Sequence, residues 1–318
     1  MTALGTAGLP AEFAGRIYDL VHRTSYTYND EVVSSYGRAH LIPRHGEGQH
    51  RLDGQVVVEP PAAEMHEHTD FFGNRSVYFN VTQAHTALSV IGRSLVAVNR
   101  SKPTPEALSV GWEQIRDRVA TPDDPEMFEP RTFVLPSPLI GRVAAVAQYA
   151  ARIVRPGATI GEVATELVER IHDEFEYEPG ATTVTTTLPE ILERRAGVCQ
   201  DFAHLAVAVL RSVGLPARYV SGYLETRPPP GKPKLQGADA SHAWAAVFVP
   251  DLGWVDLDPT NRQLVDERYV VAAIGRDYQD VPPLQGVIFS DATKSTMAVA
   301  VDMVPVERAP AAEISANG

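Results

Sequence analysis

The fold of this chain is decided by GVCQDFAHLAVAVLRSVG, residues 197–214. Its apolar spacing predicts a helix that begins at Cys199, and Gly214 followed by Pro216 is the expected stop signal. The predicted inward face carries Cys199, Ala203, Ala206 and Leu210. The thiol therefore lies in the first turn, where the positive end of the helix dipole favours thiolate over thiol. A buried structural cysteine is the alternative interpretation of this position.

A β-hairpin is predicted from HAWAAVFV, which starts at His242, and WVDLD, which ends at Asp258. His242 and Asp258 are 16 positions apart, and an even separation puts both side chains on one face. They pair directly if the turn is centred on Pro250. Asp256 has the same parity and is the rival acid, but this register would place it opposite Trp244.

Cys199, His242 and Asp258 have the residue types of a nucleophile, a base and an orienting acid. His242 can give one ring nitrogen to Asp258 and turn the other toward Cys199, which is the arrangement of acyl-transfer enzymes. Each of these residues also has a plain alternative. His242 can be a half-buried structural histidine, and Asp258 can be the acid that opens an Asp-Pro turn.

An oxyanion intermediate needs hydrogen-bond donors beside the nucleophile. The backbone N–H of Cys199 is a natural first donor, and Tyr177 is a candidate second donor. Gln200 and Trp244 join Tyr177 as candidate oxyanion or substrate contacts. A core aromatic residue with a solvated hydroxyl is the alternative for Tyr177. A polar stripe, expected to satisfy or solvate one face of the helix, is formed by Gln200, His204 and Arg211.

The pattern of apolar and polar residues differs in the part of the chain that precedes the core. Alternating runs separated by turn residues predict a small all-β, sandwich-like domain before the core. The predicted divisions are a mobile lead-in at 1–15, the N-terminal β domain at 16–100, a proline-rich connecting segment at 101–138, the catalytic core at 139–290, and a C-terminal strand with a disordered tail at 291–318. A proline-rich loop at 225–240 is expected to shape or cover the site beside His242.

Composition excludes several classes of function. The 318 residues carry a net charge of −12, which argues against nucleic acid or an anionic membrane as the partner. The single cysteine excludes an intramolecular disulfide and any zinc or iron–sulfur site built from several thiolates. The absence of a secretory signal and of an apolar span predicts a cytoplasmic protein. We expect no cofactor, and the oligomeric state stays open.

One stretch has the spacing of a metal site. The alternating residues Glu64, His66, His68 and Asp70 would share one face of a strand. A solvated strand end is the alternative, and we assign no metal to the chain. A metal-binding module that uses His66 and His68 remains a separate hypothesis.

The motifs also resemble a known family. They are GVCQDFAH at 197–204, SHAW at 241–244, GW at 253–254 and DPTN at 258–261, together with HRTSYTY at 22–28, LIPR at 41–44 and DFFGN at 70–74. In this order they resemble the bacterial transglutaminase-like family of predicted cysteine proteases, with its N-terminal β-rich domain. The resemblance covers residues 16–290.

The resemblance implies an α+β, papain/transglutaminase-like core with the catalytic cysteine at a helix end packed on an antiparallel sheet. It also implies that Cys199 is the nucleophile, His242 the base and Asp258 the orienting acid. We therefore expect an enzyme that forms a thioester and hydrolyses peptide or other amide bonds in a peptide or protein substrate. Transamidation to an amine and a non-catalytic scaffold that keeps the fold are the alternatives.

Overall fold

The computed structural model describes residues 13–46, 48–226 and 241–306. Most of the predicted lead-in, the tail beyond residue 306 and most of the proline-rich loop before His242 lie outside the described residues. Within the described ranges, no helix is both long enough and apolar enough to cross a membrane.

The elements follow the predicted change from strands to a mixed core. The helices are α1 (Trp112–Ala120), α2 (Phe128–Thr132), α3 (Ala144–Ala150), α4 (Ile160–Glu174), α5 (Leu188–Arg194) and α6 (Cys199–Ser212). The first strands are β1 (Arg16–Ile42), β2 (Gln49–Glu59), β3 (Glu64–Thr69), β4 (Arg75–Val81), β5 (His85–Val98), β6 (Glu176–Tyr177) and β7 (Ala196–Gly197). The remaining strands are β8 (Ala217–Leu224), β9 (Ser241–Val249), β10 (Gly253–Asp258), β11 (Gln263–Leu264), β12 (Tyr269–Gly275), β13 (Leu284–Ser290) and β14 (Ser295–Pro305).

The N-terminal sheet is organised around β1, which is 27 residues long. The first half of β1 pairs with β5 on one side and β14 on the other, and its second half pairs with β4 and β13. A break in register between Thr27 and Val32 separates the two halves. Because one strand serves two sets of neighbours, the predicted all-β region is a single hydrogen-bonded sheet across the described residues.

Strands β13 and β14 belong to this sheet although they follow the core in the sequence. The predicted core extended to residue 290, whereas β13 pairs with β1 along its whole length. β14 continues the same edge of β1 from Tyr28 back to Tyr18. Local alternation identifies a strand but carries no signal for a partner 245–287 positions away, which is why the sequence did not place these two strands.

The core combines helix α6 with a second antiparallel sheet, in the order β11-β10-β9-β8-β12. Helix α6 packs against β8 and β9, and α3, α4 and α5 also contact α6. Its apolar face is fully buried, as Leu205, Ala206 and Val209 show. Burial of each large aliphatic side chain contributes about 1.5–3 kcal/mol. The predicted α+β core, with a cysteine at the start of a helix packed on an antiparallel sheet, is confirmed.

Two buried side-chain amides join the N-terminal region to the outer edge of β12. Gln49 donates to the carbonyl of Val271 and accepts its N–H, each at 2.8 Å. Asn74 makes the same pair of bonds with Ile274, again at 2.8 Å each. Each side-chain amide makes the two hydrogen bonds that a neighbouring strand would otherwise make. The N–H and carbonyl groups of Val271 and Ile274 at the edge of β12 are therefore paired.

A buried apolar cluster also spans the two sheets. Its members are Tyr18, Leu20, Val96, Val98, Tyr223, Val270, Ala272, Val301 and Met303. His22 of β1 lies beside this cluster and hydrogen-bonds the Tyr223 hydroxyl of β8 at 3.0 Å. Burial lowers the pKa of His22 to about 4, so the imidazole is neutral at physiological pH. The N-terminal sheet and the core sheet therefore share a buried apolar interface.

Candidate active site

Cys199 is the first residue of α6, and the turn before it is fixed by Asp201. The buried Asp201 carboxylate accepts the N–H of Val198 at 2.8 Å and the hydroxyl of Thr182 at 2.6 Å. Gly197 is required in this turn, because a Cβ there would lie 2.7 Å from the Asp201 carboxylate. The N–H of Cys199 has no acceptor within the helix, since it belongs to the first helical turn. A backbone donor is thus available directly beside the thiol.

The β9–β10 hairpin brings His242 and Asp258 to one face, in a register that differs from the prediction. Leu257 pairs with Ala245, which places Asp258 diagonally from His242 instead of directly opposite. The predicted register was wrong because the turn is centred on Asp251, which adopts a left-handed φ of 64°. Diagonal neighbours on one face remain within reach of long side chains, so the contact between the two residues forms all the same.

His242 lies between Asp258 and Cys199. Its Nε2 is 2.7 Å from Oδ2 of Asp258, and Cys199 is the other titratable group that acts on the ring. The rings of Trp244 and Tyr269 pack around the imidazole with centroids 6.0 and 6.1 Å away. Burial lowers the pKa of His242, but the charge and hydrogen bond of Asp258, and then those of Cys199, raise it well above its ordinary value. The charged imidazolium is therefore the favoured form beside the thiol.

Asp258 is fully buried and accepts hydrogen bonds on both carboxylate oxygens. Oδ2 accepts from His242, from the Asn261 amide and from the Tyr269 hydroxyl, each at 2.7 Å. Oδ1 accepts the backbone N–H groups of Thr260 and Asn261 at 2.9 and 3.2 Å. Burial raises the pKa of Asp258, but His242 and these donors outweigh it and hold the pKa below its usual range. The acid stays ionised.

Sequence reasoning missed Asn261 and Tyr269 as members of this network. Asn261 lies in the DPTN motif, where an acid followed by N–H donors two and three residues later is typical of an Asx turn. That signal could have identified Asn261. Tyr269 lies on β12, beyond a further strand, and local sequence contained no signal that it reaches Asp258.

Asp256, the rival acid, faces another partner. Its carboxylate lies 3.1 Å from the guanidinium of Arg100, with both side chains largely buried. Asp256 is paired across the hairpin with Ala246, which is two residues further from the site than Trp244. The ion pair with Arg100 makes Asp256 part of the packing between the end of the N-terminal β domain and the core sheet.

The three weaker candidates lie in different surroundings. Tyr177 is 52% exposed, and burial followed by the charge of Cys199 raises its pKa, so its hydroxyl lies within electrostatic reach of the thiol. Gln200 is partly exposed and reaches the carbonyl of Val184 at 3.5 Å. Trp244 is fully buried, so a substrate cannot touch its side chain directly.

The polar stripe on α6 is satisfied within the protein. His204 is buried, and its Nε2 accepts the N–H of Tyr278 at 3.1 Å. Burial lowers the pKa of His204 to about 4, so its imidazole is neutral. Its Nε2 is already occupied by the Tyr278 N–H, and we do not assign His204 as a base. Arg211 donates to the carbonyls of Ala217 and Arg276 at 2.9 and 2.8 Å.

The alternating histidines of the N-terminal sheet lie on strand β3, whose residues are all exposed. The His66 ring stacks on Tyr78 with centroids 6.4 Å apart. In the part of the chain that the structure describes, no group of three or more His, Cys, Asp or Glu side chains is placed to hold a metal ion.

Comparison with known proteins identifies the family of the chain. Residues 147–259 match the profile of the Transglutaminase-like superfamily, and residues 18–97 match that of the Bacterial transglutaminase-like N-terminal region. A protein of Mycobacterium tuberculosis, itself named uncharacterized, is 43% identical over 316 residues, which cover 96% of this chain and 98% of the relative. The Protein-glutamine gamma-glutamyltransferase of Pseudomonas aeruginosa is 35% identical over 100 residues, which are 30% of this chain and 15% of that protein.

A solved structure has the same fold. The crystal structure named "Putative Cysteine Protease from Cytophaga hutchinsonii" aligns with a TM-score of 0.70 and 22% identity, covering 93% of this chain and 94% of that one. The match extends across both the N-terminal sheet and the core. With these two profiles and a full-length relative, the chain belongs to the transglutaminase-like superfamily and carries the bacterial N-terminal region in front of its core.

Proposed function

We propose that this protein is a cysteine-dependent acyl-transfer enzyme that hydrolyses peptide or other amide bonds. Cys199 is the nucleophile, His242 is the general base and acid, and Asp258 orients the imidazole. The observation that carries the proposal is the position of His242, whose Nε2 lies 2.7 Å from Asp258 and whose pKa is raised by both Asp258 and Cys199. Because Asp258 occupies Nε2, the nitrogen that serves the thiol is Nδ1.

The reaction consists of two acyl transfers. The Cys199 sulfur attacks the amide carbon while its proton resides on His242. The proton then passes to the leaving nitrogen, the C–N bond breaks, and a thioester and a free amine result. Next, His242 takes a proton from water, the water oxygen attacks the thioester carbon, and the C–S bond breaks. A carboxylic acid leaves, and the proton held by His242 restores the starting thiol–imidazole pair.

The oxyanion formed in each step requires donors close to the sulfur. The backbone N–H of Cys199 supplies one, because it has no acceptor within α6. We assign the second donor to Tyr177, whose hydroxyl lies within electrostatic reach of the thiol. Exposure of Tyr177 beside a partly exposed thiol supports access for an extended peptide or protein substrate. The expectations of no nucleic-acid or membrane partner and of a cytoplasmic location stay predictions.

Transamidation is the second candidate, because an amine can replace water in the same mechanism. The similarity of 100 residues to a protein named Protein-glutamine gamma-glutamyltransferase favours it. In that reaction the thioester is formed from a glutamine side chain with release of ammonia, and the amine attacks the thioester carbon. Hydrolysis and transamidation therefore share Cys199, His242 and Asp258 and differ in the second nucleophile.

Denatured casein, incubated with the full chain with and without a primary amine, separates these outcomes. We expect new amino termini, formed by wild type and absent from Cys199→Ser, which keeps the shape but lacks the thiol. Release of ammonia with incorporation of the amine, and no new termini, would assign the protein to transamidation. If wild type and Cys199→Ser behave alike in both assays, the acyl-transfer proposal is contradicted and the scaffold hypothesis is favoured.

A further inference from the structure

A directed row of hydrogen bonds leads from the protein surface to the Oδ2 oxygen of Asp258. The guanidinium of Arg268 donates to Oε1 of Gln263 at 2.8 Å. The amide nitrogen of Gln263 donates to the hydroxyl oxygen of Tyr269. Tyr269 in turn donates its proton to Asp258 at 2.7 Å. Arg268, Gln263 and Tyr269 supply no reacting group in the proposed mechanism.

The chemistry of these groups fixes the direction of every proton in the row. A guanidinium only donates, so the Gln263 atom that faces Arg268 is the amide oxygen. The other end of that amide is its NH₂ group, which also only donates. Tyr269 must accept this bond with its oxygen, and its own proton is then directed to Asp258.

The row is held at both ends. The carboxylate of Asp266 binds Arg268 through two guanidinium nitrogens at 2.8–3.2 Å. Tyr269 is fully buried at the start of β12, and its ring packs against Trp244 with centroids 5.3 Å apart. Gln263 lies in the short strand β11, paired with Asp258 itself across β10 and β11. These contacts restrict the side chains of Arg268, Gln263 and Tyr269, so each keeps the hydrogen-bond partner described above.

We propose that Tyr269, oriented by Gln263 and Arg268, is a positioning residue that sets the proton affinity of His242 through Asp258. This inference rests on the proposed function, in which His242 exchanges protons with the substrate. Tyr269 and His242 donate to the same carboxylate oxygen, so they share its negative charge. The hydrogen bond from Tyr269 therefore weakens the stabilisation of the His242 imidazolium by Asp258. His242 can then give up its proton to a leaving amine more easily.

The sign of the effect follows from this sharing. Without the tyrosine hydroxyl, Oδ2 of Asp258 directs more of its charge to His242, and the imidazolium is harder to deprotonate. The titratable groups that act on His242 are Asp258 of β10 and Cys199 of α6. The charged groups that act on Tyr269 are Asp258 and Arg268. Replacing Cys199 removes the coupled thiol and leaves Asp258 as the group through which Tyr269 acts.

The test is an NMR titration of the His242 ring in the full chain with Cys199→Ala, assigned by the signal that His242→Ala removes. We expect Tyr269→Phe, which deletes only the hydroxyl, to raise the His242 midpoint by about 0.5 pH unit. Gln263→Met, at a partly exposed position, should shift the midpoint in the same direction by less. Tyr223→Phe is the matched control, because it removes a buried hydroxyl from the adjacent strand β8 that binds His22 instead.

An unchanged or lowered midpoint in Tyr269→Phe would overturn the inference, as would an equal rise in Tyr223→Phe. The titration does not depend on turnover or on the thiol. Failure of the proposed function would appear instead as an unreactive Cys199 in alkylation, so the two failures are distinguishable. A loss of stability alone, with the midpoint unmoved, would indicate that Tyr269 is a packing residue.

Discussion

Replacement of Asp258 by asparagine should lower turnover of an amide substrate by about 10²–10⁴-fold, although the chain still folds. The carboxylate accepts five hydrogen bonds and donates none, so it fixes His242 with Nε2 as a donor. An asparagine in the same place turns an NH₂ group toward other donors. The ring of His242 then loses both its orientation and the charge that stabilises the imidazolium.

Asp256→Asn is the matched control for this change. Asp256 is on the same strand and is also buried, but its partner is Arg100. Breaking that ion pair should cost stability and leave turnover per folded molecule within a few-fold of wild type. The comparison requires initial rates on the casein substrate, with the folded fraction of each variant measured by circular dichroism. Similar rate losses in both variants would contradict the assignment of Asp258 as the orienting acid.

Replacement of Asn74 by alanine should lower the free energy of unfolding by about 3 kcal/mol or more. Asn74 is fully buried, and its amide bonds both backbone groups of Ile274 at 2.8 Å each. Its oxygen also accepts from Arg44, and its nitrogen donates to Asp70. Alanine satisfies none of these groups, and the buried N–H and carbonyl at the edge of β12 would each lack a partner.

Asn99→Ala provides the control for Asn74→Ala, because the Asn99 side chain is exposed just after β5. We expect this variant to differ from wild type by less than about 0.5 kcal/mol. Urea unfolding followed by tryptophan fluorescence and by circular dichroism measures both variants. If Asn74→Ala were as stable as Asn99→Ala, the side-chain amides would not be what holds the N-terminal sheet to β12.

The sequence was most informative where the signals were local. Helix α6 begins at Cys199 as predicted. Its apolar spacing and its stop signals are local features, so one short segment of sequence was enough to predict it. The hairpin was also predicted, but its register was displaced because the turn is centred on Asp251 and not on Pro250. Even spacing kept His242 and Asp258 on one face, so the contact between them survived an error of two positions in the pairing.

Long-range relations were beyond local reasoning. The partners of β13 and β14 lie at the other end of the chain, and alternation says nothing about which edge a strand will join. Tyr269 reaches Asp258 only because β12 and β10 lie in one sheet with β8 and β9 between them. The sequence around Gln49 and Asn74 contains no signal that their side chains bind the edge of β12. That contact depends on the tertiary packing of the N-terminal region against the core.

The central claim, that His242 activates Cys199, is tested most directly by the rate of Cys199 alkylation by iodoacetamide from pH 4 to 10. The chain has one cysteine, so every alkylated thiol is Cys199. An imidazolium beside the thiol stabilises the thiolate in acid, whereas an ordinary thiol with a pKa of about 8.5 is almost fully protonated at pH 6. We predict that at pH 6 wild type reacts about 10–100-fold faster than His242→Ala, with both proteins folded. Equal rates, with both profiles following an ordinary thiol, would contradict the account.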